Sequence, residues 1–82
     1  MIFLIEYNRI EGRIVSLRTF DESERTIAQD ARLELELDLN RKGIEREIVL
    51  LEASSEEALR NTHRRYFESL GEIMKTFSQQ VK

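Results

Sequence analysis

The chain has 82 residues, a formal net charge of −3 and neither cysteine nor proline. These values exclude a disulfide framework and a thiolate zinc site, and they do not favour nucleic acid or an anionic membrane as a partner. A chain of this length forms one domain (1–82), near the size at which a single apolar core is only marginally stable unless association helps.

The first 20 residues have the pattern of a β-hairpin. Residues 2–7 are apolar on both faces of a strand, whereas residues 13–20 mix arginine and serine with apolar side chains. Asn8 is suited to begin the turn, and Gly12 can adopt the positive φ of a bulged hairpin loop. We therefore predict that the first strand is central in the sheet and that the second is an edge.

A helix is predicted from about residue 22 to residue 42. Asp21 and Glu24 have the spacing of a capping box at its start, and Gly43 provides its C-terminal stop. The side chains expected on its buried face recur at helical spacing; they are Ile27, Ala28, Ala31, Leu35 and Leu39.

Within that helix, residues 33–39 alternate leucine with acidic residues. This alternation could also be a strand, with residues 40–43 as its turn. We predict helix, because leucine and glutamate are strong helix formers and the segment has no β-branched residue.

Residues 44–53 are predicted to be the third strand, and residues 48–51 are apolar on both of its faces. A right-handed crossover from the second strand makes the third strand parallel to the second. The predicted fold is α+β with element order ββαβα: a three-stranded mixed sheet of order 2-1-3, with two helices on one face. The other face of the sheet would then be bare.

The last predicted element is a long C-terminal helix that begins at Ser54, with Glu57 completing a capping box. Its seam has steps of three and four residues and consists of Leu59, His63, Tyr66, Leu70, Ile73, Phe77 and Gln80. A helix that continues to Val81 is about 40 Å long, longer than a sheet of this size requires. Its distal part, residues 70–82, would protrude from the domain; the alternative is that the helix stops at Gly71.

Two features predict a homodimer: the helical seam is longer than the sheet, and one apolar face of the sheet is bare. A further protein partner is compatible with both features. The residues expected at the interface are Phe3, Ile5, Tyr7, Val49, Leu51, Leu70, Ile73, Met74 and Phe77. The first functional hypothesis is therefore a small protein-interaction and homodimerisation module.

The alternative hypothesis is a nucleic-acid-binding regulator. Arg60, Arg64 and Arg65 would contact phosphates and Tyr66 would stack on a base. The simpler interpretation is that the same residues form a solvent-exposed helix face, because glutamates lie four residues from Arg60 and Arg64 and can form ion pairs with them.

An enzyme with a site centred on His63 is the third hypothesis. A histidine can act as a general base only with an orienting partner and a substrate pocket, and the sequence identifies neither. We expect His63 to be structural, and we expect no cofactor and no metal site. The apolar opening, residues 1–5, is too short for a signal peptide or a membrane span, so a cytoplasmic protein is expected.

Overall fold

The computed structural model describes residues 1–67, in which three strands form one sheet and helices pack against it. The strands are β1 (Ile2–Asn8), β2 (Arg13–Phe20) and β3 (Glu47–Glu52), and the helices are α1 (Arg25–Lys42), α2 (Glu56–Thr62) and α3 (Arg64–Phe67). The sheet order β2-β1-β3 confirms the predicted α+β class, the strand order and the central position of β1.

The prediction of a mixed sheet is wrong, because β1 pairs antiparallel with both of its neighbours. β2 and β3 do run in the same direction, as the crossover predicts, but they lie on opposite sides of β1. Strands that flank a common antiparallel neighbour never pair with each other, so every ladder in the sheet is antiparallel.

The hairpin between β1 and β2 forms as predicted. The Asn8 side-chain oxygen accepts hydrogen bonds from the amides of Ile10 and Glu11, both at 3.0 Å. The Gly12 amide donates to the Asn8 carbonyl at 2.8 Å, and the φ of Gly12 is +67°. An L side chain is strained in that conformation, so glycine is the residue that closes this loop at least cost.

The predicted start and stop of α1 are confirmed. The Asp21 carboxylate accepts from the Ser23 amide, and the Glu24 carboxylate accepts from the Asp21 amide at 2.9 Å. A short 3₁₀ turn, Glu22–Glu24, follows this cap and leads into α1, which ends at Gly43 with φ +68°. Residues 33–39 lie inside α1, so composition rather than alternation decides their conformation.

The buried face of α1 differs from the prediction at one position. Ala28 and Leu39 are buried, whereas Ile27 is 55% exposed. Successive residues are about 100° apart around a helix, so the turn that brings Ala28 onto the sheet carries Ile27 to the flank. No helix within residues 1–67 is long and apolar enough to cross a membrane.

The prediction that both helices cover one face is also wrong, because α1 lies on one face and α2 with α3 lies on the other. The face under α1 contains Ile2, Leu4 and Phe20, which pack with Ala28. The face under α2 and α3 contains Phe3, Ile5 and Tyr7, which pack with Leu59 and Tyr66. Covering both faces buries every residue of β1, which alternates between the two clusters.

The start of the C-terminal helical region is one residue later than predicted. Ser55, not Ser54, is the N-cap of α2, and its hydroxyl accepts from the Ala58 amide at 3.1 Å. The predicted unbroken helix is wrong at His63, where φ −125° and ψ 50° separate α2 from α3. The distal segment predicted for residues 70–82 lies outside the described residues.

We expect Leu59→Ala to destabilise the fold by about 2 to 5 kcal/mol, because Leu59 is fully buried between α2 and the sheet and its truncation leaves a cavity. Ile10→Ala is the control, since Ile10 is 93% exposed and its truncation changes the free energy of unfolding by less than about 0.5 kcal/mol. Urea denaturation followed by circular dichroism measures both values. Equal effects of the two substitutions would contradict this account of the core.

The cap of α1 makes a pH-dependent contribution to stability. Hydrogen bonds from the Ser23 hydroxyl and amide hold the pKa of Asp21 below its ordinary value. A carboxyl whose pKa is lower in the folded state stabilises the fold above its unfolded pKa, and that stabilisation is lost as the pH falls through the folded pKa. Asp21→Asn should therefore flatten the acid side of the stability profile while leaving the cap in place; an unchanged acid limb would contradict this role.

Candidate interaction surface

The sheet residues predicted at the interface belong to the core of the domain. Phe3, Ile5 and Tyr7 are buried, and Val49 and Leu51 are partly buried against the same cluster. The bare face that motivated their assignment does not exist, because α2 and α3 cover it. The remaining predicted interface residues, Leu70, Ile73, Met74 and Phe77, lie outside residues 1–67.

Arg65 joins α3 to the edge of the sheet. Its Nη2 atom lies 2.7 and 2.9 Å from the two carboxylate oxygens of Glu47 and 2.9 Å from the Tyr66 hydroxyl. Its guanidinium is 4.5 Å from the centre of the Tyr66 ring. The hydrogen bond to Tyr66 and the carboxylate of Glu47 raise the pKa of Arg65. The Tyr7 hydroxyl also donates to the Arg65 carbonyl, at 3.2 Å.

Arg60 makes a comparable set of contacts within α2 and α3. Its Nη2 lies 2.9 Å from a carboxylate oxygen of Glu56, and its guanidinium lies 4.6 Å from the centre of the Phe67 ring. Arg60, Arg65 and Tyr66 thus make intramolecular contacts that a phosphate or a base would have to displace. Arg64 is the first residue of α3.

His63 lies at the break between the two short helices. Its amide donates to the Leu59 carbonyl at 2.9 Å, and its carbonyl accepts from the Tyr66 amide at 3.2 Å. The imidazole is 6.4 Å from the Tyr66 ring and is partly buried. These contacts let Leu59 and Tyr66 reach one cluster across the break, which favours the structural role over the catalytic one.

A buried polar group that the sequence analysis missed lies under α1. Glu6 is only 8% exposed, although it belongs to the central strand. It accepts a hydrogen bond from the Ser16 hydroxyl at 3.2 Å, and its other oxygen lies 3.3 Å from Nε of Arg46. A single charge inside an otherwise apolar strand was the available signal, because a buried charge requires a partner.

The side of α1 nearest β3 carries two depressions. Two grooves of about 480 Å³ each lie there, and both include Glu36 in their lining. One continues to Ile48 and the start of β3, and the other to Leu50 and Glu52 at its end. Together these two depressions are the edge groove, which follows β3 along its whole length.

One exposed leucine of α1 lines the edge groove. It is Leu33, which is 55% exposed; Leu37, one turn further along on the side of α1 away from the sheet, is 51% exposed. Ile44 lines the opposite end of the groove and is also exposed. Nothing in residues 1–67 covers Leu33 or Leu37 fully.

The two edges of the sheet differ in how they resist further pairing. β2 contains a bulge at Val15, where the register with β1 shifts, and Arg13 and Arg18 project from it. β3 has no bulge, lysine or proline, and its four central residues are all apolar. Bulges and charges are the features that normally prevent edge pairing, so only β2 is protected along its length.

Charged residues are confined to the two ends of β3. Glu47 is held by Arg65 and by Arg9, whose Nη2 lies 3.4 Å away. At the other end, Glu52 accepts a hydrogen bond from Arg25 of α1, which holds the pKa of that carboxyl below its ordinary value. The centre of the strand edge carries no charge.

Comparison with known proteins found no match to a protein-family model, to a curated protein or to a solved structure.

Replacement of one partner of the Glu6–Arg46 pair should cost more than replacement of both. Glu6→Gln leaves a guanidinium that is three-quarters buried beside a neutral group, and we expect a loss of about 1 to 3 kcal/mol. Glu6→Leu combined with Arg46→Leu removes both charges, and its stability should lie within about 1 kcal/mol of the parent.

A double-mutant cycle of Glu6→Leu, Arg46→Leu and the combined variant, measured by chemical denaturation beside Glu6→Gln, tests this expectation. Arg13→Leu, at an exposed ion pair with Glu11, is the control and should change the free energy of unfolding by less than about 1 kcal/mol. Additive single effects in the Glu6–Arg46 cycle would show that the two side chains are not coupled.

Proposed function

We propose that this chain is a homodimerisation and protein-interaction module whose contact surface is the unprotected edge of β3 with the adjoining side of α1. The observation that carries the proposal is the contrast between the two edges of the sheet. β2 has a bulge and projecting arginines, whereas β3 presents four consecutive apolar residues along an unpaired edge within residues 1–67.

The exposed side chains of α1 extend this surface. Leu33 and Leu37 are neighbours on the helix, being four residues apart, and each retains about half of its exposure. Leu33 and Ile44 line the edge groove, so that apolar side chains and an open strand edge lie side by side. A second chain that covered them would remove apolar area from water, which stabilises association by about 25 cal/mol per Å² before entropic costs.

The size of the domain supports the same proposal. A short chain buries a smaller fraction of its surface than a large one, so association contributes proportionately more to its stability. A two-fold arrangement requires only one self-complementary patch, which makes it the simplest closed assembly for such a surface.

Light scattering coupled to size exclusion at micromolar concentration should give about twice the chain mass of 9.7 kDa. Leu33→Asp should shift the mass toward that of one chain, because a carboxylate would be desolvated in the contact. Val15→Asp is the matched control, since it adds the same charge at the bulge of β2 and should leave the mass doubled.

A mass near 9.7 kDa for the unchanged chain would contradict the proposed function. A doubled mass that survives Leu33→Asp but is lost with Phe77→Asp would keep self-association and assign the contact to the segment beyond residue 67. That result would contradict the proposed surface.

A further inference from the structure

We infer that a second copy of this chain adds its own β3 antiparallel to β3, giving a continuous six-stranded sheet of order β2-β1-β3-β3-β1-β2 centred on Val49. This inference rests on the proposed function and specifies its geometry. It requires that β3 be able to pair with itself, that the register suit its side chains, and that the two copies of α1 fit beside each other.

Symmetry limits the possible registers. A two-fold axis perpendicular to the sheet keeps each side chain on its own face and places one residue of β3 opposite its own copy. With Val49 on the axis, Ile48 lies opposite Leu50 of the second copy, and Arg46 lies opposite Glu52 of the second copy. The centre of the contact is then apolar, and at each end an arginine of one chain lies opposite a glutamate of the other. Apolar pairs and opposite-charge pairs both stabilise neighbouring strands.

Neighbouring registers are less favourable. With Leu50 on the axis, Ile48 would face Glu52 of the second copy, and Arg46 would face Ser54. With Ile48 on the axis, Glu47 would face Val49 and Glu45 would face Leu51. Each places a carboxylate against an apolar residue without the Arg46–Glu52 pairing, so side-chain complementarity selects Val49. In the selected register Glu47 lies opposite Leu51 and Glu45 lies opposite Ala53, so the Arg46–Glu52 pairing is what distinguishes it from its neighbours. Arg9 and Arg65 already pair with Glu47.

The position of α1 is compatible with this arrangement. α1 packs on β1 and β3, so its axis runs over the space between those strands. Strands in a sheet are about 4.8 Å apart, which separates the two copies of α1 by about 10 Å. That value is at the upper end of the interaxial distances of packed helices, 8 to 10 Å. The two edge grooves would face each other and be filled by Leu33 and its neighbours on α1.

Hydrogen exchange of the unchanged chain provides the first test. In an isolated domain, alternate amides of β3 donate to β1 and the others point away from the sheet. The outward amides should exchange rapidly at concentrations where light scattering finds one chain, and at least roughly tenfold more slowly where it finds two. Fast exchange of those amides in a demonstrated dimer would overturn the strand pairing while leaving self-association itself intact.

Reversal of the charges at positions 46 and 52, in separate chains, provides the second test. Arg46→Glu alone places two carboxylates opposite each other at both ends of the contact, and Glu52→Arg alone places two guanidinium groups there. Each variant should raise the dimer dissociation constant by at least roughly tenfold. Mixing the two variants restores both opposite-charge pairs in the heterodimer, so association should return to within about threefold of the parent.

The mixing step separates the contact from the fold. Arg46→Glu also loses its partner Glu6, and Glu52→Arg loses Arg25, but these defects lie within one chain and mixing cannot repair them. Recovery on mixing therefore supports the Val49 register. Unaffected single variants, or folded single variants that fail to associate when mixed, would overturn it; if a variant does not fold, the exchange measurement on the unchanged chain decides. A monomeric parent chain would instead contradict the proposed function itself.

Discussion

Burial of β1 on all sides is the constraint on which the rest of this structure depends. Every residue of Ile2–Asn8 is buried, including Glu6 and Asn8, and its side chains alternate between two separate clusters. A strand can be buried in this way only if another strand pairs with each edge and a helix covers each face. Three layers are therefore assembled around a single strand of seven residues.

The two edges of the sheet differ in their chemistry. β2 follows β1 through a tight hairpin and carries a bulge and arginines, so it ends the sheet. β3 arrives from α1 with apolar side chains on both faces and charges only at its ends. Because α1 is seated over β1 and β3, the exposed Leu33 of that helix lies beside the less protected edge. The functional proposal depends on this coincidence of an open edge and an apolar helix side.

Arginine has mainly an architectural role in the described region. Arg65 joins α3 to Glu47 and stacks on Tyr66, Arg60 packs on Phe67, and Arg46 approaches the buried Glu6. The planar guanidinium can pair with a carboxylate and lie on an aromatic ring at the same time, which lysine does less well. A cluster of arginines in a small acidic domain is thus compatible with anchoring short helices, and it need not indicate a nucleic-acid ligand.

The sequence by itself determined the local elements of this protein. The caps at Asp21 and Gly43, the turn at Asn8 and Gly12, and the helical state of residues 33–39 follow from backbone and side-chain preferences that act over a few residues. The strand order also followed, because the continuous apolar character of β1 identifies it as central. Local preferences do not explain three other features: the placement of α1 opposite α2 and α3, the break at His63 and the partner of Glu6. These features depend on contacts between residues far apart in the chain. The short link of residues 53–55 allows the following helix to pack on either face of the sheet. The helix packs on the face where it buries more of β1. Which face that is depends on the positions of all the other elements of the fold.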